Sequence, residues 1–352
     1  MSNREIALLR LAAQRIIGPG FGSAGEVVRH LTAMQGQDLP GAMISTALRT
    51  STVDRGLVVE AMNAGEIVRS WPMRGTLHLV PAEDLGWMLA LTAPRVMKSA
   101  ARRRVELDID DRRLARAGEL AVEALSGGRA LRRAELIELW EKDGLLGEVG
   151  RSYHLLAHLA WDGLLCFGPY QGGAQSLVLL DEWVASPRQL TREESLGEWV
   201  LRYFRSHGPA TIKDFAWWTK LTQPDIKAGL AIARPHLDSM TADGAEYLMD
   251  PQTPDLLAEH RTDAQRMLLL PGFDEFILGY GDRSAALPAE HAGQVVPGNN
   301  GMFRGTVVAD GRIVGTWKKG GTPKNGQIDA MPFATFTKSK EKALSELFLA
   351  LP

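Results

Sequence analysis

One local pattern constrains the fold of this chain more than any other: short amphipathic helices followed by a strand or a pair of strands with a turn. The pattern occurs three times, over residues 23–80, 128–180 and 195–250. Apolar residues at helical spacing fill the first part of each copy, and alternating residues near glycine or proline fill the second. Helix, turn, helix and hairpin in this order are typical of a winged helix, a variant of the helix-turn-helix. We therefore predict three winged helices in tandem.

The rest of the chain is rich in strand signals. Asp310 and Gly311 form a two-residue turn between two alternating runs, which is a strong hairpin signal. A closing helix is predicted over 338–351, packed on a small open barrel or sheet. The predicted fold class is thus α+β, a tandem winged-helix array plus a C-terminal β-rich, barrel-like module. The predicted domains are winged-helix units 1, 2 and 3 and the C-terminal module, at residues 1–100, 101–186, 187–262 and 263–352.

Composition excludes several classes of protein. The 352 residues are 45% hydrophobic and carry a net charge of −2, so the chain can bury a large core and is not a strongly basic nucleic-acid binder overall. Its one cysteine, Cys166, lies in an apolar run, which excludes an internal disulfide framework and a cysteine-rich zinc site. No signal-type segment or membrane-length apolar run is present in the sequence. We expect a cytoplasmic monomer without a cofactor, a metal or a membrane partner.

The segment MQGQDLPG, residues 34–41, holds two amide side chains at the junction of two predicted helices. Gly36 allows the backbone angles that other residues avoid, and Asp38 before Pro40 suits a helix N-cap. A purely structural interpretation is that Gln35 and Gln37 cap helix ends, since glutamine is a poor acid or base. The residues alone leave that interpretation open.

The chain resembles a known family along nearly its whole length. Five segments carry the resemblance: LTAMQGQDLPGAMISTALR, RSWPMRGTLHLVPAEDL, VLLDEWV, LLLPGFDEFILGYGDRS and MFRGTVVADGRIVGTWKK. They are similar, in the same order, to segments of the AlkZ/YcaQ family of winged-helix DNA glycosylases. The AlkZ branch carries glutamine, an aliphatic residue and glutamine, whereas the YcaQ branch has aspartate in the third position. Gln37 makes this chain AlkZ-like, and Gly36 replaces the aliphatic residue.

The resemblance implies a monofunctional DNA glycosylase that acts on double-stranded DNA containing alkylated purines, chiefly N7-substituted guanine, including bulky natural-product adducts. It implies Gln35 and Gln37 as the catalytic residues. Asp38 and His78 are possible support, and His78 can contact phosphate or the lesion, although structural hydrogen bonding explains His78 at least as well. A base alkylated at N7 or N3 is cationic and leaves easily, so an amide that positions water is sufficient. The alternative, from a different class, is a non-catalytic winged-helix transcriptional regulator.

Candidate DNA contacts lie in the predicted wings and in one helix. Arg69 and Arg74 belong to the first wing, which we expect to turn near Pro72, and can bind phosphate. Arg151 begins the helix that we interpret as the recognition helix of unit 2. The tip formed by Gln171, Gly172 and Gly173 can bring backbone close to the minor groove, although an ordinary tight turn explains these residues equally well. In sequence, no aromatic residue follows the glutamines before Trp71, so we expect no deep aromatic pocket and a damaged base that stays largely stacked.

Two further sets of residues have a chemical and a structural interpretation. His154 and His158 have the spacing of a helical metal pair but no third ligand beside them, so we predict no metal site. Asp274, Glu275 and Asp282 resemble paired catalytic carboxylates, but their apolar flanks favour buried hydrogen bonds between domains.

Overall fold

A computed structural model describes residues 2–299, 301–322 and 325–352 of the chain. It has a mixed α+β fold in which the sheets are antiparallel. The helices, in chain order, are α1 (Asn3–Ala13), α2 (Ala24–Leu31), α3 (Leu39–Ala47), α4 (Arg55–Asn63), α5 (Leu85–Glu106), α6 (Asp111–Leu125), α7 (Arg133–Lys142), α8 (Arg151–Trp161), α9 (Leu180–Trp183), α10 (Arg192–His207), α11 (Ile212–Thr219), α12 (Gln223–Ala233), α13 (Thr253–Glu259), α14 (Arg261–Ala264), α15 (Glu275–Leu278), α16 (Ala292–Val295) and α17 (Lys338–Leu349). The strands are β1 (Met34–Gln35), β2 (Ile67–Met73), β3 (Thr76–Pro81), β4 (Leu131–Arg132), β5 (Leu165–Gln171), β6 (Ala174–Leu179), β7 (Asp238–Ala242), β8 (Ala245–Met249), β9 (Met267–Leu270), β10 (Gly305–Ala309), β11 (Arg312–Thr322) and β12 (Asn325–Pro332).

Local sequence signals set several helix starts. At the start of α2 the Ser23 hydroxyl accepts from the Glu26 N–H at 3.2 Å, and the Glu26 carboxylate accepts from the Ser23 N–H at 3.0 Å. Thr211 and Asp214 form the same reciprocal pair at the start of α11. The sequence itself predicts both capping boxes, because a Ser or Thr followed three residues later by a Glu or Asp is their signature, and the structure confirms them.

The chain forms two compact units. The first combines the residues up to Val58 with Leu196–Pro352, and the second is Val59–Ser195. A large buried core in the first unit joins helix α1 to the C-terminal third of the chain; its members include Leu8, Leu11, Leu257, Phe276 and Val308. Residues far apart in sequence thus share one core.

The first unit contains the third helix and hairpin copy. Helices α10, α11 and α12 are followed by the hairpin of β7 and β8, in the predicted order. Their packing surrounds Trp199, Tyr203, Phe204 and Trp218, all fully buried. Burial of four large aromatic side chains stabilises this part of the fold strongly.

In the second unit two hairpins share a single sheet. The strands lie in the order β3, β2, β5, β6, β4, and β2 meets β5 where Arg69 pairs with Phe167. The first hairpin is confirmed, but its turn lies at Arg74 and Gly75, both with positive φ, shortly after the expected position at Pro72. Pro72 lies inside β2, where Thr92 donates to its carbonyl.

The segment GRALRRAELIELWEKDGL, residues 128–145, predicts two short helices around a turn, and the structure differs from this prediction. Leu131 and Arg132 are extended and pair with β6, and only α7 follows them. The strand bonds to Ser176 and Leu177 hold these residues away from helical angles. Cys166 is fully buried in β5, and the apolar run around it in the sequence predicts such a core position.

The C-terminal strands form an open sheet rather than a barrel. Their order is β12, β11, β10, β9, and within the described residues the outer strands β12 and β9 do not pair with each other. Helix α17 packs on this sheet through a small core with Trp317 and Leu344, so a helix rather than sheet closure buries its apolar side. The barrel-like prediction is therefore wrong, whereas the hairpin at Asp310 and Gly311 and the closing helix are confirmed. Among the described residues, none of the helices has the length and apolar character needed to cross a bilayer.

Candidate active site

The QGQD segment, residues 35–38, links α2 to α3 in the first unit. Met34 and Gln35 are extended, and Gln35 is only 7% exposed. Gln37 and Asp38, two and three residues later, are exposed. The segment therefore places the Gln35 amide in the interior and the Gln37 amide at the surface, although the two residues are only two positions apart.

The two glutamine side chains meet. The Gln35 Nε2 donates to the Gln37 Oε1 at 3.5 Å, a long hydrogen bond. The Gln35 Oε1 is buried and has no hydrogen-bond partner among the described residues. A buried amide oxygen without a donor is costly, and a functional site is one of the settings in which such an atom occurs. The Gln35 amide therefore holds the exposed Gln37 side chain in place, and the Gln35 Oε1 can still accept a hydrogen bond.

Asp38 occupies the N-cap position of α3 but does not cap it. Its side chain makes no capping hydrogen bond, which corrects the expected N-cap role. The Asp38 Oδ2 instead lies 2.5 Å from the point that a Cβ atom on Gly41 would occupy. The carboxylate thus lies over the first turn of α3, where only glycine leaves room for it.

Gly36 does not use the backbone freedom that the sequence suggested. The glycines with positive φ do not include it, and it is buried. The expectation that this position needs left-handed angles is therefore wrong. Gly36 occupies the position of the aliphatic residue of the motif with backbone angles that other residues can adopt.

Glu275 anchors the motif from the far end of the chain. Its Oε1 accepts from the Gln35 backbone N–H at 3.3 Å, and its Oε2 accepts from the Trp218 indole at 3.0 Å. The His207 Nε2 lies 3.3 Å from the same Oε2. A fully buried carboxylate with these partners can hold the backbone of Gln35 at a fixed position.

The neighbouring Asp274 forms a buried ion pair with Arg49 at the end of α3. The Arg49 Nη1 and Nη2 donate to both carboxylate oxygens at 2.9 and 3.0 Å, and the Ser45 hydroxyl donates at 2.5 Å. Burial raises the pKa of the Asp274 carboxyl, but Arg49 and the hydrogen bonds outweigh it and hold that pKa below its usual value. The predicted buried hydrogen bonds are confirmed for Asp274 and Glu275, although they lie within the first unit and not between domains. The prediction is wrong for Asp282, which is exposed and accepts from the nearby Ser284 N–H. The sequence did not predict that Asp274 and Glu275 clamp the glutamine motif, because no local pattern links residues this far apart.

Among the predicted DNA contacts, the structure brings Arg74 and His78 together in the second unit. The Arg74 Nη2 lies 3.0 Å from the His78 Nε2, and the His78 Nδ1 lies 2.8 Å from the Thr76 carbonyl. Burial, with Arg74 nearby, holds the pKa of His78 well below its usual value, so its ring is neutral at pH 7. A neutral ring with Nδ1 protonated accepts from Arg74 and fixes its guanidinium at the hairpin turn.

Arg69 lies on the same hairpin, half-buried. Its guanidinium carbon is 4.6 Å from the centroid of the Phe167 ring. Burial lowers the pKa of Arg69 to about 10, with a smaller effect of Arg133, so the side chain remains cationic at pH 7. A cation held over an aromatic face is a rigid partner for an anion.

The tip formed by Gln171, Gly172 and Gly173 is exposed. Both glycines have positive φ, at 60° and 85°, and a Cβ atom on either would meet nothing within 4 Å. The glycines are therefore required by the turn angles and not by close packing within this chain.

Arg151, another predicted DNA contact, lies at the start of α8. It is 7% exposed, and its guanidinium donates to the carbonyls of Leu107, Leu145 and Leu146. These bonds hold two loops together, and contact with DNA would require some of them to open.

Comparison with known proteins identifies relatives over the same span. The model of the AlkZ-like DNA glycosylase family matches residues 28–351. The interstrand DNA cross-link repair glycosylase of Streptomyces sahachiroi is 27% identical over 326 residues, which cover 90% of this chain and 87% of that protein. The solved structure of the S. sahachiroi DNA glycosylase AlkZ has the same fold, with a TM-score of 0.79 at 24% identity, covering 99% of this chain and 96% of that one. The family match spans nearly the whole chain, so this protein belongs to the AlkZ-like DNA glycosylase family.

Proposed function

We propose that this protein is a monofunctional DNA glycosylase that hydrolyses the N-glycosidic bond of alkylated purines in duplex DNA, chiefly N7-substituted guanine. The observation that carries the proposal is the joined amide pair of Gln35 and Gln37, with Gln37 exposed, in a chain of a DNA glycosylase family. The S. sahachiroi relative is an interstrand cross-link repair glycosylase, which supports bulky natural-product adducts as part of the substrate class.

An amide pair is sufficient catalyst for this substrate class. Alkylation at N7 makes the purine cationic, so the base leaves with the electron pair of the C1′–N9 bond and needs no strong acid. The sugar carries positive charge in the transition state, and the Gln37 carbonyl dipole stabilises that charge. One well-placed dipole of this kind contributes about 3 kcal/mol, about a hundredfold in rate.

The remaining step is addition of water to the sugar. A water that donates to an amide oxygen of the pair forms the new bond to C1′, and its proton goes to solvent. The products are a neutral alkylated purine and an abasic site. The Gln35 amide holds Gln37 in place, so the two side chains act as one unit.

A strand-cleaving lyase activity is not part of the proposal. Such an activity requires an amine that forms a Schiff base with C1′. The first lysine in the chain is Lys98, and the QGQD segment has none beside it in sequence.

We assign DNA binding to three winged helices in tandem, at residues 1–100, 101–186 and 187–262, with the C-terminal module at 263–352. The cations Arg69 and Arg74 contact phosphate, and the open tip at Gly172 and Gly173 approaches the minor groove. Two observations support this assignment. Contacts with Phe167 and His78 fix the two guanidinium groups, and open space surrounds the two glycines at the tip. Asp38 supports the chemistry as the carboxylate beside Gln37, and His78 supports DNA binding by holding Arg74.

The test is base release. The protein is incubated with duplex DNA carrying N7-methylguanine or a bulky N7 adduct, and freed base and alkali-labile sites are measured. We expect neutral alkylated guanine and abasic sites in equal amounts. No release from any alkylated purine, together with tight binding to one undamaged sequence, would support the transcriptional regulator instead.

A further inference from the structure

Phe273 has a backbone conformation that a phenylalanine rarely adopts. Its φ is 62°, in the left-handed region that favours glycine. Strain of this kind persists only where the surrounding structure imposes it, and it concentrates at active sites and ligand clamps. The conformation of Phe273 therefore requires an explanation.

The residues on both sides of Phe273 are fixed against the glutamine motif. The Gly272 carbonyl oxygen lies 3.4 Å from the point where a Cβ atom on Gly41 would stand, the same point that the Asp38 Oδ2 approaches at 2.5 Å. On the other side Asp274 is clamped by Arg49 and Ser45. Phe273 is thus held next to the exposed end of the QGQD segment.

The Phe273 ring is half-buried and belongs to an aromatic surface that already accommodates a cation. Its centroid is 5.9 Å from that of Phe303, at an interplanar angle of 54°. The Arg283 guanidinium lies 5.0 Å from the Phe303 ring and 4.9 Å from the Trp217 ring. No aromatic residue lies close to the glutamines in sequence. Contacts between residues far apart in the chain are therefore what bring the aromatic surface of Phe273 toward them.

The substrate class supplies a cation of the right kind. An alkylated purine nucleotide carries positive charge on its base before the reaction and on its sugar in the transition state. An undamaged nucleotide carries neither, and an aromatic face attracts cations selectively. We infer that the Phe273 ring contacts the cationic lesion nucleotide and gives the site its preference for charged over neutral bases.

The inference rests on the proposed function, and its test measures binding rather than turnover. Two duplexes are compared by fluorescence anisotropy. One carries N7-methylguanine on a 2′-fluoro sugar, which slows base loss, and the other carries 7-methyl-7-deazaguanine, which has the same shape without the charge. Wild-type protein should bind the charged lesion about fivefold to tenfold more tightly.

The variants isolate the ring. Phe273→Leu keeps an apolar side chain without a π face and should bind both duplexes equally, whereas Phe273→Trp should restore the preference. Phe348→Leu, which changes a half-buried phenylalanine of helix α17, should behave as wild type. Thermal unfolding of each variant checks that it is folded.

The two hypotheses fail differently. Equal binding of the two duplexes by wild type, or an unchanged preference in Phe273→Leu, would overturn the role of Phe273. If the wild type shows the predicted preference but releases no base from DNA carrying ordinary N7-methylguanine, the binding role stands and the glycosylase function fails.

Discussion

Glu275 and Gln35, which are 240 residues apart in sequence, are joined by a hydrogen bond of 3.3 Å from the Gln35 backbone N–H to the Glu275 carboxylate. The contact ties the glutamine motif to the buried polar network of the C-terminal segment. It holds the motif by its backbone and does not engage either amide side chain.

Changing Glu275→Gln tests this anchor. The variant keeps the side-chain volume and one acceptor oxygen, but loses the charge that strengthens bonds to Gln35, Trp218 and His207. We expect base release to slow about tenfold, because small displacements at a site cost one to two orders of magnitude in rate. Single-turnover kinetics measure the effect, with the exposed Glu141→Gln as control. A wild-type rate in folded Glu275→Gln protein would show that the anchor does not position the motif.

The ion pair of Arg49 and Asp274 should dominate the stability of the same region. Both side chains are almost fully buried. Arg49→Met leaves the Asp274 carboxylate without its partner, which costs about 3–5 kcal/mol in comparable buried pairs. Denaturant unfolding measures the loss, and Arg102→Met, in an ion pair whose arginine side chain is 91% exposed, should leave the curve unchanged. If the denaturant unfolding curves of wild type and Arg49→Met coincide, the ion pair does not stabilise this region.

Stability should fall below neutral pH because several histidines are held neutral. Burial, with Arg104 and His154 nearby, lowers the pKa of His158 to about 4, although Asp111 acts in the opposite direction. Between about pH 6.5, where a free histidine titrates, and pH 4, the unfolded chain holds a proton that the folded chain lacks. The contribution of His158 is therefore complete above about pH 6.5 and is lost as the pH falls toward 4.

The measurement is the urea midpoint at pH 7 and pH 5. The midpoint of the wild type should drop between the two, and the drop should be smaller in His158→Leu, which removes the titrating group from an apolar site. His236→Leu, at an exposed position, should show the wild-type drop. An identical drop in all three proteins would mean that His158 does not contribute.

The two glycines around Asp38 should respond differently to alanine. Gly36 has no positive φ, so Gly36→Ala should keep base release within about threefold of wild type, as its backbone cost is small. A Cβ atom at Gly41 would lie 2.5 Å from the Asp38 Oδ2 and must displace the carboxylate. Gly41→Ala should therefore slow base release more than Gly36→Ala at nearly unchanged thermal stability. The reverse order would show that the Asp38 carboxylate is not needed where it lies.

Local signals predicted a large part of this structure. The capping boxes at Ser23 and Thr211 and the turns at Gly172 and Gly173 and at Asp310 depend on residues a few positions apart. These were confirmed because neighbouring residues alone determine them.

The predictions from sequence were wrong or incomplete where contacts between residues far apart in the chain determine the structure. Arg132 is extended because it pairs with Ser176, and the C-terminal sheet stays open because α17 covers it. The clamp on the motif by Glu275 and the strained Phe273 beside it depend on contacts across more than 200 residues. Periodicity and turn residues carry no information about such pairings.

The central claim is that the amide pair performs the hydrolysis, and the most direct measurement is single-turnover base release by Gln37→Ala, compared with Gln35→Ala, on duplex DNA carrying N7-methylguanine. Gln37 is exposed, so its variant should unfold at the wild-type temperature while releasing base about a hundredfold more slowly. Gln35→Ala should lose a similar factor in rate, because the two side chains act together. Base release at the wild-type rate by folded Gln37→Ala protein would contradict the account.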